Sequence, residues 1–203
     1  NIERGVFRIL NLIYAKMLFL KRWHFYLQRI NFKFKKDDWR RPEDLLIHGL
    51  CLSRISDEKV KDLFCQNLDW DYFLERACSE GISSLIYEGL KKIITSRQLL
   101  PKSVEKKLES SYYTIAARNV FLSLKLKEIL CRFKQSGIDA VLLKGMALMH
   151  SVYHHLSLRP MCDIDILIRK YDLGLAKAEL EKMGYVKDAA YPENFYKEGV
   201  QVD

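Results

Sequence analysis

Residues 137–168 read GIDAVLLKGMALMHSVYHHLSLRPMCDIDILI, and this stretch decides the fold of the second half of the chain. It begins with a short apolar run bounded by glycines, which is typical of a buried strand. A helix is predicted from Lys144 through His155, and the alternation at 163–166 predicts a second strand. Strands that alternate with helices indicate a sheet with helices packed on it.

The residues after this stretch continue the same pattern. A helix is predicted from about Tyr171 to Met183, and Gly184 ends it. A short strand is predicted next, at 185–186, and residues 199–203 begin another. In that last strand the valines face one side, while Gln201 and Asp203 face the other.

Upstream of Gly137 the periodicity is helical. Ser56 and Asp69 are suited to cap two short helices at their N-termini. The longest helical pattern runs from Pro101 to Gln135, and Gly137 stands at its C-cap position. An apolar stripe follows this helix at Val104, Leu108, Tyr112, Ile115, Leu122, Leu126, Ile129 and Leu130.

These patterns predict an α+β fold in three parts. Residues 1–41 are expected to form a basic amphipathic helical segment, residues 42–136 a helical domain, and residues 137–203 an α/β domain with a small mixed sheet. Because the chain begins with Asn1 and ends at Asp203 within a strand pattern, we expect a fragment whose last domain is truncated at its C-terminus.

The positive charge is confined to the N-terminal segment. Residues 1–41 hold eleven Lys and Arg against three acidic residues, an excess equal to the net charge of the whole chain, +8. A globally basic nucleic-acid binder is therefore not indicated. Residues 6–35 are predicted to form a helix that does not span a membrane, because charges interrupt its apolar run. Two interpretations of this predicted helix are open: it contacts a membrane surface or a partner protein, or it packs as an ordinary helix.

The five cysteines form no C-x-x-C pair and have no histidine at zinc-ligand spacing. This pattern argues against a disulfide framework and against structural zinc. A reducing compartment is expected. The default location is the cytoplasm, with peripheral attachment to a membrane as the alternative.

The carboxylates of Asp163 and Asp165 are the first candidates for chemistry. Side chains at positions i and i+2 of a strand project from one face, so these two acids can reach a common site. Two carboxylates held close together repel each other unless a cation lies between them. Oxygen ligands on a strand suit Mg²⁺ or Mn²⁺. A chance pair of acids on a surface strand is the alternative.

The turn before the predicted helix supplies candidates for phosphate binding. Gly145 follows a buried strand at the start of a helix, where free backbone N–H groups can receive phosphate, and Lys144 adds a positive charge. The alternative is a solvated lysine beside a glycine that only permits a tight turn. Arg159, four residues before Asp163, can bind a phosphate or form a structural salt bridge to an acid. Arg118 is interpreted as a helix-packing residue.

Taken together, these motifs resemble those of a nucleotidyltransferase family with the polymerase-beta-like fold and a helical N-terminal region. The resemblance rests on the L-L-K-G turn at 142–145, Arg159-Pro160, D-I-D-I-L at 163–167, and L-E-K-M-G-Y-V at 180–186. LDWDYFLERACSEGISSLIYEGL at 68–90 and the Ala116–Asn119 stretch also look like the family's helical region. The resemblance covers roughly residues 43–203.

The resemblance implies a role for each matching residue. Asp163 and Asp165 would be the metal-binding pair, and Asp203 would be the third carboxylate, which would also hold the metal and would help to deprotonate the attacking hydroxyl. Lys144 and Gly145 stand where the wider superfamily usually has Gly-Ser for the phosphates. Cys162 stands where the family commonly has glycine.

The function predicted from the sequence is a metal-dependent transfer of a nucleoside monophosphate group from an NTP donor to a hydroxyl acceptor that the sequence does not identify. One alternative is a catalytically silent nucleotide-binding module, which the residues at Lys144 and Cys162 favour. The other is an interaction protein docked to a membrane or a partner through residues 6–35.

Overall fold

The computed structural model describes residues 41–52, 55–93, 100–153 and 155–203. The predicted basic helix at 6–35 lies outside these residues. The chain divides into two compact units. Described residues within 41–117 and 155–160 form the first, here called the helical unit, and described residues within 118–153 and 161–203 form the second, the α/β unit.

The helical unit is built from short helices whose starts are set by side-chain caps. Ser56 accepts a hydrogen bond from the backbone N–H of Lys59 at 3.3 Å, and Asp69 accepts one from Tyr72 at 3.0 Å, which confirms both predicted caps. The helices are α1 (Pro42–Leu52), α2 (Asp57–Phe64), α3 (Trp70–Ser79), α4 (Ser83–Lys92) and the first part of α5 (Lys102–Gln135).

The core of the helical unit draws one apolar face from each helix. Leu46, Phe73 and Ile86 are fully buried, and Leu108 is buried nearly as completely. Gly89 permits a close approach of α4 to α1, because a Cβ at this position would lie 2.8 Å from the backbone oxygen of Leu50. The unit is therefore held by apolar packing and by one tight helix crossing.

The α/β unit contains the rest of α5, two further helices and six short strands. Gly137 has a φ of +74° two residues after the end of α5, as its predicted role in ending the helix requires. The elements are β1 (Ala140–Leu142), α6 (Lys144–Ser151), β2 (Asp163–Ile164), β3 (Ile166–Ile168), a 3-10 turn (Lys170–Asp172), α7 (Leu173–Lys182), β4 (Val186–Lys187), β5 (Phe195–Lys197) and β6 (Val200–Val202).

The strands combine parallel and antiparallel pairing. β1 pairs with β3 antiparallel, and the other sheet has the order β2-β6-β5-β4. Within it, β2 and β6 run parallel, whereas the pairs β6–β5 and β5–β4 are antiparallel. The predicted small mixed sheet is thus confirmed. Because β2 and β3 are separated by a single residue, Asp165, the chain from 163 to 168 joins the two sheets.

The strand β5 was not predicted from the sequence. A two-residue turn at Glu198 and Gly199 connects it to β6, with φ values of +51° and +73°. Positive φ at both central residues gives a turn whose twist matches that of the flanking strands. Lys125 of α5 binds the Glu198 carboxylate at 2.9 Å and so holds this turn against the helix.

The core of the α/β unit lies between the sheet and its helices. Ile164, Val200 and Val202 point into it, as the alternation predicts, together with Phe195. The helices contribute Leu122, Leu126, Ile129, Phe133, Met146, Met149, Ala176 and Leu180. The acids of the same strands therefore project from the opposite face of the sheet.

One helix is shorter than predicted. The pattern indicated a helix through His155, but α6 ends at Ser151. Val152 follows with a φ of −126°, outside the helical range. Valine is β-branched and loses side-chain freedom in a helix, which disfavours a continuation of α6. In addition, residues 155–160 already belong to the helical unit. The prediction was wrong because helical spacing alone does not reveal where a chain leaves one unit.

The architecture confirms the predicted α+β class, with helices before residue 137 and a small mixed sheet after it. The domain boundaries at 41 and 136 stay predictions. Within the described parts of the chain, no helix is both long and apolar enough to cross a membrane. The five cysteines are free thiols.

Candidate active site

Three carboxylates meet where the two parallel strands end. Asp163 begins β2, Asp165 follows it directly, and Asp203 follows β6. In the parallel register Asp163 pairs with Gln201, and Ile164 pairs with Val202. The next residue on each strand is an acid, so Asp165 lies beside Asp203. The predicted adjacency of the two acid-bearing strands is therefore observed.

Backbone hydrogen bonds fix this arrangement on both sides of residue 165. The Asp203 N–H donates to the Ile164 carbonyl at 3.0 Å, and the Ile166 N–H donates to the Asp203 carbonyl at 2.9 Å. On the other edge, the Leu143 N–H donates to the Asp165 carbonyl at 3.0 Å. The acids thus stand on a hydrogen-bonded scaffold rather than on a free loop.

The side chains of the three acids converge. One potential ligand oxygen from each of Asp163, Asp165 and Asp203 lies within 4.8 Å of the others. Asp165 is 5% exposed, and the other two acids are half-buried. Divalent ions bind oxygens at about 2.0–2.6 Å, which places opposite ligand oxygens about 4–5 Å apart, so the spacing is compatible with a single hard cation. We name these residues the acid triad.

The electrostatics of the triad favour a bound cation. Burial raises the pKa of Asp165 above its ordinary value, and the neighbouring carboxylates of Asp163 and Asp203 add to this effect. The Lys144 ammonium acts in the opposite direction but does not outweigh burial. A divalent ion would lower the cost of keeping all three carboxylates charged.

Lys144 contributes a positive charge directly to the triad. Its Nζ forms an ion pair with Oδ1 of Asp165. The hydrogen bond to Asp165 raises the pKa of Lys144, and the field of all three acids adds to it. Lys144 is the first residue of α6, and its φ of +43° is unusual for a residue with a side chain. Gly145, the other residue predicted at this turn, is buried next to it.

Two polar residues support the triad and were not identified from the sequence. Gln201 donates from Nε2 to Oδ1 of Asp203 at 2.7 Å. Arg118 donates from Nη2 to the carbonyls of Cys162 and Gly199, at 3.2 Å and 2.7 Å. The alternation placed Gln201 on the acid-bearing face, but no sequence signal linked Arg118 to carbonyls 44 and 81 residues away.

The structure brings together four of the predicted site residues: the acid triad and Lys144. Arg159 is half-buried in the segment 155–160, which belongs to the helical unit, so its predicted phosphate contact stays a prediction. Ile164 is fully buried behind the acids, whereas Ile166 is only half-buried.

Comparison with known proteins adds one finding. The model of a family described as "Uncharacterised nucleotidyltransferase" matches residues 66–203, which include the whole of the acid triad, Lys144 and Arg118. Searches among curated proteins and among solved structures gave no match.

Proposed function

Since the chain belongs to this family of uncharacterised nucleotidyltransferases, we propose that it transfers a nucleoside monophosphate group from an NTP to a hydroxyl acceptor. The observation that carries the proposal is the acid triad, whose ligand oxygens come from two neighbouring strands and lie within 4.8 Å of one another. The acceptor is a small-molecule hydroxyl, a sugar, a protein side chain or a nucleic-acid end.

The donor set fits the divalent ion that such chemistry uses. Asp163, Asp165 and Asp203 would hold Mg²⁺ or Mn²⁺, because all three offer hard oxygen ligands on a rigid scaffold. When bound, the ion would neutralise charge on the phosphate oxygens. The protein's own contribution would be to orient the NTP and the acceptor for in-line attack.

Asp203 is proposed to accept the proton of the attacking hydroxyl. Of the three acids it is the one on the separate strand, and Gln201 orients one of its oxygens, Oδ1, at 2.7 Å. The other oxygen, Oδ2, is the one proposed to receive the proton.

Lys144, Gly145 and Arg159 are proposed to bind the phosphates of the NTP. Lys144 and Gly145 form the first turn of α6, where backbone N–H groups lack partners within the helix. Leu143, which precedes the helix, provides no side-chain cap. Arg159 would add a bidentate contact. Contact with a membrane surface or a protein through residues 6–35, and a cytoplasmic location, complete the proposal.

Transfer of label from the NTP tests the function. The chain would be incubated with Mg²⁺ and each of the four NTPs labelled at the α-phosphate, in the presence of a protein mixture, an RNA pool or a small-molecule extract. We expect label to move from one NTP to one acceptor class. The same NTP labelled at the γ-phosphate should transfer none, because pyrophosphate leaves.

Matched variants connect this activity to the triad. Asp163→Asn and Asp165→Asn should abolish transfer, since each removes a charged ligand. Asp188→Asn is the control, because Asp188 caps a loop at Ala190 and Tyr191, and an asparagine oxygen can accept the same hydrogen bonds. Nucleotide binding by the unaltered chain without transfer to any acceptor would instead identify a silent binding module.

Asp203→Asn tests the proposed proton acceptor, which would also be one of the three metal ligands. We expect nucleotide binding to persist while turnover falls by a factor on the order of 10² or more, as when a general base is removed. Turnover would be measured at saturating NTP. Nearly normal turnover in this variant, with Asp165→Asn inactive, would refute the role of Asp203 as base and leave the Asp163–Asp165 pair in place.

A further inference from the structure

Lys144 stands at the triad in a conformation that a lysine rarely adopts. Its φ of +43° lies in the left-handed region, where the side chain of an L-residue crowds the backbone. Such residues persist where the surrounding structure imposes them, and they cluster at functional sites. The backbone outlier therefore gives a reason to ask what the side chain does.

The ion pair between Lys144 and Asp165 joins an exposed group to a buried one. The Asp165 side chain is 6% exposed and is held on the strand scaffold, whereas the Lys144 side chain is 50% exposed. The ammonium thus reaches the buried carboxylate from the solvent side. Asp165 is fixed in place, but Lys144 has room to leave it without unfolding any element.

The charges at the site imply that the Lys144 ammonium and a divalent ion would compete for the Asp165 carboxylate. With its three carboxylates ionised, the triad carries three negative charges against the single positive charge of Lys144. A divalent ion bound by the triad would compete with the ammonium for the Asp165 oxygen. The phosphates of an NTP would offer the same ammonium another anionic partner.

We propose that Lys144 is an exchangeable counter-ion, which binds Asp165 in the nucleotide-free protein and moves to the NTP phosphates when metal and nucleotide bind. This inference rests on the proposed function and deepens it. It makes the nucleotide-free triad a weak metal site and couples metal binding to nucleotide binding. The coupling is reciprocal, so metal should also improve nucleotide affinity.

Binding measurements test the exchange without any turnover. Mn²⁺ affinity would be measured by electron paramagnetic resonance, with and without the four α,β-methylene NTP analogues. In Lys144→Met we expect Mn²⁺ to bind about tenfold more tightly to the nucleotide-free protein, within the usual range of coupling between two ligands. The same variant should bind the analogue more weakly, and the enhancement of Mn²⁺ binding by the analogue should shrink.

Tighter Mn²⁺ binding together with weaker analogue binding indicates exchange. If Lys144 had only a structural role, its loss would weaken the binding of both ligands. Lys144→Gly provides a second variant that accepts the positive φ if the methionine variant does not fold. Lys144→Arg, which keeps the charge, should retain the weak Mn²⁺ binding. Lys125→Met is the matched control, because Lys125 pairs with Glu198 and Glu128 rather than with the triad.

Two results would overturn the proposal in different ways. The first result is that the unaltered protein binds Mn²⁺, but Lys144→Met and Lys144→Gly bind it no more tightly. This result would refute the exchange and leave the proposed function intact. Absence of Mn²⁺ binding in the unaltered protein and in every variant, with and without the analogues, would refute the metal site and the exchange with it.

Discussion

Arg118 allows a sharp test of how the triad is positioned. It lies on α5, and its guanidinium binds the carbonyls of Cys162 and Gly199, one residue before β2 and one residue before β6. Those strands carry the first and last acids of the triad. Replacing the arginine with methionine keeps much of the apolar stem but leaves both carbonyls without their charged donor.

The expected loss of stability follows from these two hydrogen bonds. A hydrogen bond to a charged group contributes about 1.5–3 kcal/mol where water is excluded. Arg118 is half-buried, so water can replace part of what is lost. We therefore expect Arg118→Met to lower the free energy of unfolding by about 1–2 kcal/mol in urea titrations.

The effect on the site should exceed this general loss. Because the two strand starts are no longer tied together, the Mn²⁺ affinity of the triad should fall by about tenfold, the lower end of the range for groups that orient metal ligands. Arg118→Lys keeps the charge but lacks the planar donors, so it should restore only part of the affinity.

Arg132→Met is the matched control for Arg118→Met. Arg132 lies on the same helix and binds the Glu179 carboxylate on α7 rather than a carbonyl next to an acid-bearing strand. This variant should lose stability and keep its Mn²⁺ affinity while folded. If Arg118→Met loses stability but binds Mn²⁺ as tightly as the Arg132 variant does, the positioning role of Arg118 is wrong.

Two further predictions concern Gly89 and Cys51 of the helical unit, with Gly174 of the α/β unit as the control for Gly89. Gly89→Ala should destabilise the fold by about 1–3 kcal/mol, since its Cβ would lie 2.8 Å from the Leu50 carbonyl oxygen. A Cβ at Gly174 would have no atom within 4 Å, so Gly174→Ala should instead stabilise α7 by up to about 1 kcal/mol. Equal urea midpoints for the two variants would contradict the close packing of α4 on α1. Burial raises the pKa of the Cys51 thiol to about 12, so its thiolate fraction at pH 8 is about 10⁻⁴. Mass-spectrometric mapping should find Cys51 alkylated by iodoacetamide at least about 100-fold more slowly than the exposed Cys65.

Local features of this protein could be predicted from the sequence because they depend on residues close together in the chain. The caps at Ser56 and Asp69 and the stop at Gly137 follow from groups within a few positions of each helix end. The common face of Asp163 and Asp165 follows from the two-residue repeat of a strand.

Features that join distant parts of the chain were decided by the tertiary structure. Asp203 reaches the other acids because β6 pairs in parallel with β2 after a crossover through α7. The family resemblance suggested Asp203 as the third acid, whereas the spacing of the three acids in the sequence did not. The ion pair of Lys144 with Asp165 and the contacts of Arg118 bridge 21 to 81 residues of sequence. Periodicity tells which face a side chain occupies, but only the path of the chain determines which faces meet.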